Sequence, residues 1–158
     1  METKIERITE IDLNFEVQTT TTYYNPEAMD HRVQHRMKSI ELTDEYTRID
    51  FIYQASMIWD NGGWIRMERD AYIQPVGSDS KYYLQKAINI PIAPIKHYFK
   101  KKGEYHSYTL IFPALPKDTK SIDIIEKLAP GTWFNFFNVD FSSWMTVPHA
   151  CDAPRQNN

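Results

Sequence analysis

Ile49-Asp50-Phe51-Ile52-Tyr53-Gln54-Ala55-Ser56-Met57-Ile58-Trp59, followed by Asp60-Asn61-Gly62-Gly63 and then Trp64-Ile65-Arg66-Met67, is the stretch that decides the fold class. Successive side chains of a strand point to opposite faces. On that rule Ile49, Phe51, Tyr53, Ala55, Met57 and Trp59 share one face, with Asp50, Gln54 and Ser56 on the other. Asp60–Gly63 is rich in residues that tolerate positive φ and suit a turn. Ile65, Met67, Ala71 and Ile73 then resume the alternation against Arg66, Glu68 and Asp70. The expectation is an antiparallel pair joined at that turn, with Trp59 in the core.

The same period recurs on both sides. Ile11, Leu13, Phe15 and Val17 alternate with Asp12, Asn14, Glu16 and Gln18. Thr19–Tyr24 extends that run without charge and reads as a strand end or edge. Met37–Leu42 is a further strand, whereas Asn25-Pro26-Glu27-Ala28 suits a helical turn. After Gly77-Ser78-Asp79-Ser80 a strand starts at Tyr82-Tyr83-Leu84. Pro91 and Pro94 lack the donor a ladder needs, so the chain leaves the sheet, or follows its edge, until Lys102. Tyr108, Leu110 and Phe112 share a face of a strand over 104–113. Ser121–Leu128 reads as a strand or a helical turn. In Trp133–Phe141 the alternation puts Trp133, Asn135, Phe137, Val139 and Phe141 together.

Short strands between turns, with no long helical pattern, predict an all-β fold: an immunoglobulin-like antiparallel β-sandwich of about seven or eight strands. Residues 1–144 form one domain and 145–158 a C-terminal tail. A chain of 158 residues is long enough to bury a core without disulfides. The lone cysteine, Cys151, excludes an intrachain disulfide. The charged N-terminus lacks a leader-like apolar stretch, and no run is long enough for a membrane span. A cytoplasmic location is the simplest reading, with an exported chain stripped of its signal left open. Eighteen basic and 21 acidic residues give −3, which argues against general nucleic-acid binding. The one basic run, Lys96-His97-Tyr98-Phe99-Lys100-Lys101-Lys102, reads as a solvated loop before Gly103, or as a weak anion contact.

The blocks Tyr72-Ile73-Gln74, Lys81-Tyr82-Tyr83-Leu84 and Tyr108–Glu126, with its Leu115-Pro116 turn and Ile122-Asp123-Ile124-Ile125-Glu126 run, carry a resemblance. Over Ala71–Phe141 only, the chain resembles a poorly characterised bacterial immunoglobulin-like β-sandwich accessory module. The resemblance implies an accessory or interaction role and brings no catalytic residues.

Chemistry-bearing constellations are sparse. His31 and His35 are four apart, but Arg32 and Arg36 between and beside them oppose a dication, so both are expected as surface histidines and no metal site is assigned. His97, His106, His149 and Cys151 have no spacing to judge. Cys151 lies beside Asp152, whose charge raises a thiol pKa, so it reads as a free tail thiol and not a nucleophile. No phosphate loop, dinucleotide fingerprint or nucleophile elbow occurs, and no cofactor is expected.

Ten Tyr, eight Phe and four Trp are first of all packing material. Trp64 shares parity with Arg66 and Glu68 and is expected exposed, either packed over the sandwich end or meeting a sugar ring or a protein partner. The binding candidates are therefore Trp64 with Tyr72, and Tyr23 and Tyr24 on an edge open to strand addition. The first functional expectation is a non-enzymatic interaction or assembly module of a bacterial system, with a protein partner or a second copy. A small-ligand or carbohydrate-binding sandwich is second, and an enzyme with an unrecognised site third.

Overall fold

The computed structural model describes residues 19–150, and the alternating run over 11–17 lies outside them. Within those bounds the fold is all-β and contains no α-helix, so no helix is long and apolar enough to cross a membrane. Twelve strands follow one another: β1 (Thr19–Tyr24), β2 (His35–Leu42), β3 (Tyr46–Gln54), β4 (Trp64–Ile65), β5 (Tyr72–Pro75), β6 (Tyr82–Tyr83), β7 (Lys86–Ile88), β8 (His97–Tyr98), β9 (Tyr105–Pro113), β10 (Ser121–Ile125), β11 (Phe136–Asp140) and β12 (Met145–Ala150). All pairings between these strands are antiparallel, and one isolated bridge, Met67 to Ile92, is parallel. They make a six-stranded sheet β12-β1-β2-β3-β9-β7, a four-stranded sheet β11-β10-β5-β6 and a two-stranded ribbon β4-β8. The expected seven or eight strands become twelve because several runs break into two- or three-residue strands that serve different sheets.

The long strands form where the alternation is cleanest. In β3, Thr47, Ile49 and Phe51 are buried, and in β9 so are Tyr108, Leu110 and Phe112. The register sets Ile49 opposite Leu110 and Phe51 opposite Tyr108, so the apolar faces coincide. In β2 a register shift between Met37 and Ser39 inserts Lys38. That shift lets Arg36 and Met37 and then Ser39 and Ile40 all be buried, which strict alternation forbids. Ile73, Ile122 and Ile124 of the four-stranded sheet belong to the same core cluster as Ile40, Ile49 and Leu110.

Several expectations are corrected. The pair joined at Asp60–Gly63 does not form. β3 lies between β2 and β9, and Trp64-Ile65 crosses to pair with Tyr98-His97. Ala55 still follows the β3–β9 register, its amide on the Glu104 carbonyl at 2.8 Å, but the ladder stops there: the Gly103 amide is shared between the Ala55 and Ser56 carbonyls at 3.2 and 3.3 Å, and the Ser56 amide turns to the Gly62 carbonyl at 3.1 Å. Trp59 accordingly leaves the core and is 64% exposed. Thr19–Tyr24 is no edge: β1 is covered by β2 on one side and by β12 on the other. Met145–Ala150, assigned to a tail, is that covering strand. Asn25–Ala28, read as suited to a helical turn, is a turn closed by the Ala28 amide on the Asn25 carbonyl at 3.1 Å, and no helix follows it. Parity breaks in β11, where a register shift and Asn138 at φ 50° leave Phe137 60% exposed while Phe141 is buried.

Candidate functional site

One end of the molecule carries three loops, of which the first and third line a cleft and the second braces the first. The first, 55–63, turns at Trp59–Gly62, where the Gly62 amide bonds to the Trp59 carbonyl at 2.9 Å and the Gly63 amide to Asn61 Oδ1 at 3.1 Å. Gly62 is required there. Its φ is +84°, and a Cβ would lie 2.7 Å from the Lys101 carbonyl oxygen and 2.9 Å from the Ala55 Cβ. The second loop, 95–104, is pinned beside it by the Phe99 amide on the Gly63 carbonyl at 3.0 Å and the Gly103 amide on the Ala55 carbonyl at 3.2 Å.

The third loop, 126–135, is closed by Asn135. Its Oδ1 accepts from the Glu126 and Lys127 amides at 2.8 and 3.2 Å, and its Nδ2 donates to the Lys127 carbonyl at 2.9 Å. This holds Trp133 over the cleft, with its Nε1 donating to the Pro130 carbonyl at 3.3 Å.

Between the first and third loops lies a cleft of about 460 Å³ lined by Trp59, Trp64, Trp133, Tyr53, Phe134, Arg66 and Glu126, with Ser56 and Thr132 contributing hydroxyls. The volume is within the range of small-ligand sites. Cations rest on the indoles: Lys96 Nζ is 4.3 Å and the Arg66 guanidinium carbon 5.2 Å from the Trp64 ring centre, and Lys127 Nζ is 4.8 Å from that of Trp133. Among the described residues none of these three cations has a carboxylate ion pair.

Glu126 is the single carboxylate in the lining. It is buried, and its two oxygens accept from the Phe134 amide at 2.8 Å and the Glu68 amide at 3.0 Å. Burial pushes its pKa up against those two donors. The carboxylate thus clasps two loops together and gives the cleft a buried polar group.

Behind Tyr53 and Phe134 sits His35. Five aromatic rings surround it: Phe134 at 4.3 Å, Phe136 at 4.9 Å, Tyr53 at 5.4 Å, Phe51 at 5.6 Å and Tyr108 at 5.7 Å between centres. Desolvation holds its pKa down at about 3. The buried Tyr108 hydroxyl lies 2.5 Å from His35 Nε2, and burial, with the Glu126 charge nearby, pushes the phenol well above its ordinary range. A phenol kept protonated donates, so the neutral imidazole accepts on Nε2 and carries its own proton on Nδ1.

The sequence candidates divide. Trp64 lines the cleft and is 44% exposed. Tyr72 does not line it; its ring faces Tyr83 at 5.7 Å under Lys81. Tyr23 packs edge-on against Phe141 at 4.9 Å, and Tyr24 lines a separate recess on the outer face of the six-stranded sheet. His31 is exposed beside Tyr105, as expected, whereas His35 is enclosed and not a surface residue. His97 and His106 do meet, 4.4 Å between centres. Cys151 and the His149 side chain lie outside the described part. Among the described residues no three His, Cys, Asp or Glu side chains form a metal-ligating group.

Sequence reasoning missed Trp133 and Glu126 as cleft residues. Their signal was local: a Pro-Gly turn before Trp133, and a glutamate ending an isoleucine-rich strand. Comparison with protein-family models, curated proteins and solved structures gave no match.

Proposed function

We propose that this chain is a binding module that captures a saccharide, or another ligand presenting a saturated ring, in the cleft of Trp59, Trp64 and Trp133. The carrying observation is the convergence of three indoles on one cleft of about 460 Å³, Trp59 and Trp64 from the two sides of one turn and Trp133 from a loop about seventy residues further along the chain. Indole faces stack against apolar ring faces, and Ser56, Thr132 and Arg66 offer hydrogen bonds at the margin. A single lining carboxylate, held by two backbone amides, does not make the pair that glycoside hydrolysis uses, which favours binding over cleavage.

The scaffold suits this role. Two antiparallel sheets close on one core and leave loops free at an end, the general build of an immunoglobulin-like sandwich. The meander β1-β2-β3 within one sheet departs from the strict immunoglobulin strand order. The resemblance of Ala71–Phe141 to a bacterial accessory module is in keeping with a binding role.

Assembly with a protein by strand addition has less support. Among the described residues the outer strands are short (β6, β7), irregular (β11), or interrupted by Pro148 (β12), the features that blunt an edge.

Screening on an array of neutral and acidic glycans, followed by calorimetry with wild type and Trp133→Ala, tests the reading. The variant is expected to bind at least about tenfold more weakly. Silence across the array with indole fluorescence unchanged by every sugar would overturn it.

A further inference from the structure

The tip of loop 55–63 has the wrong surface for a side chain cluster that meets only water. Met57, Ile58 and Trp59 are consecutive and 62%, 85% and 64% exposed. Ile95 and Tyr98, on the neighbouring loop, are 67% and 62% exposed. Scattered exposed apolar residues are ordinary, but a contiguous group marks a surface that is covered in use.

Charge identifies the cover. Across 55–66 and 95–104 there are five basic residues (Arg66, Lys96, Lys100, Lys101, Lys102) and two acidic ones (Asp60, Glu104), so this end carries 5 − 2 = +3. The whole chain is −3, which leaves −6 elsewhere. Glu104 is turned back to accept the Lys100 and Lys101 amides at 2.7 and 3.2 Å, and this orders the lysine loop. Among the described residues none of the five cations has a carboxylate ion pair. The two loops are fastened to each other, because the Phe99–Gly63 and Gly103–Ala55 backbone bonds join them and Gly62 fits directly against the Lys101 carbonyl.

We infer that this end docks on a membrane surface rich in anionic phospholipid, with Met57 and Ile58, which do not line the cleft, entering the interfacial layer and the lysines meeting headgroups. A bilayer interface accepts a projecting apolar tip without a matching pocket, and it favours tryptophan and tyrosine at the headgroup level. Basic residues beside the tip add attraction to an anionic leaflet. A second copy related by a two-fold axis is a poorer cover, since it would bring one +3 end against another. An acidic protein partner is the competing occupant, and the test separates it.

The experiment uses the full chain with phosphatidylcholine vesicles, with and without phosphatidylserine, in a sedimentation assay. Wild type is expected to pellet with the anionic vesicles and to be released by salt. Ile58→Asp and the double variant Lys100→Glu/Lys101→Glu are each expected to weaken binding by about tenfold or more. Ile58 is almost wholly exposed, so an unchanged urea midpoint for Ile58→Asp verifies that the fold is intact. Trp133→Ala is expected to keep vesicle binding, which separates this inference from the saccharide reading. No pelleting with anionic vesicles overturns the inference, as does equal pelleting of wild type and Ile58→Asp. Retention on immobilised polyglutamate without vesicle binding also overturns it, in favour of an acidic protein.

Discussion

Lowering the pH should weaken this fold through His35. In the unfolded chain the imidazole takes up a proton as pH falls through about 6.5. In the fold, five aromatic rings and the Tyr108 hydroxyl leave it neutral down to about pH 3. Below about pH 6.5 the unfolded state therefore binds more protons, and stability falls with falling pH until the folded form also protonates near 3. Each unit of pH in that window is worth about 1.4 kcal/mol, so going from about pH 7.5 to about pH 5 costs about 2 kcal/mol. His35 is half-buried as a residue, which makes that figure an upper value.

Urea unfolding followed by tryptophan emission, at several pH values, reads the slope. The control is His35→Gln, which keeps an acceptor for Tyr108 and cannot titrate. Its baseline stability will differ, but the comparison concerns slope alone. His97, whose pKa is also lowered, chiefly by desolvation, contributes the same sign in both proteins and cancels. Wild type should lose about 2 kcal/mol more than the variant between those two pH values. Parallel slopes would refute the claim that this ring environment excludes the proton.

Gly62→Ala should destabilise the protein by about 1–3 kcal/mol, read as a lower urea midpoint, because its φ of +84° and the Lys101 carbonyl 2.7 Å from the new Cβ both oppose a side chain. Thr47→Val should be neutral or stabilise by up to about 1 kcal/mol in the same assay, since the Thr47 hydroxyl is fully buried and has no hydrogen-bond partner. Glu126→Gln should steepen the loss of stability in acid. The fold raises the Glu126 pKa, so in wild type the folded state protonates before the unfolded one and gains relative stability as pH falls, an offset the glutamine lacks. Equal acid slopes for wild type and Glu126→Gln would contradict that assignment.

What the sequence made legible was the part of the fold where alternation has to be obeyed. β3 and β9 are central, their inner faces meet a second sheet, and the register that buries Ile49, Phe51, Leu110 and Phe112 is the one the residue pattern states. β1 was readable as a strand but not as an interior one. Its cover, Met145–Ala150, contains a proline and no clean alternation, so its pairing is visible only in three dimensions. β6 and β7 looked like one strand because nothing local at Leu84-Gln85 says that the chain changes sheets there.

The cleft was illegible for a related reason. Period-two reading extends a strand for as long as the apolar positions continue, and Met57 and Trp59 continue the face of Phe51 faultlessly. The strand nevertheless stops beside Ala55, because its partner strand runs out at Gly103, whose amide is shared between the Ala55 and Ser56 carbonyls, an ending set by a distant segment that no local pattern can announce. Past that point the same parity carries an opposite meaning: side chains that would have filled a core are presented to solvent. Trp133 is misread in the same way, since the β11 ladder begins only at Phe136 and the indole belongs to a loop tied by Asn135. Every large side chain that parity sent inward and the structure sends outward at this end lies on the cleft or on the projecting tip beside it. A sequence that spends methionine, isoleucine and tryptophan on exposed loops forgoes the burial that would stabilise them, about 1.5–3 kcal/mol for a fully buried side chain of that size. Surfaces that carry such a cost are where consistency between local pattern and fold is expected to give way to binding.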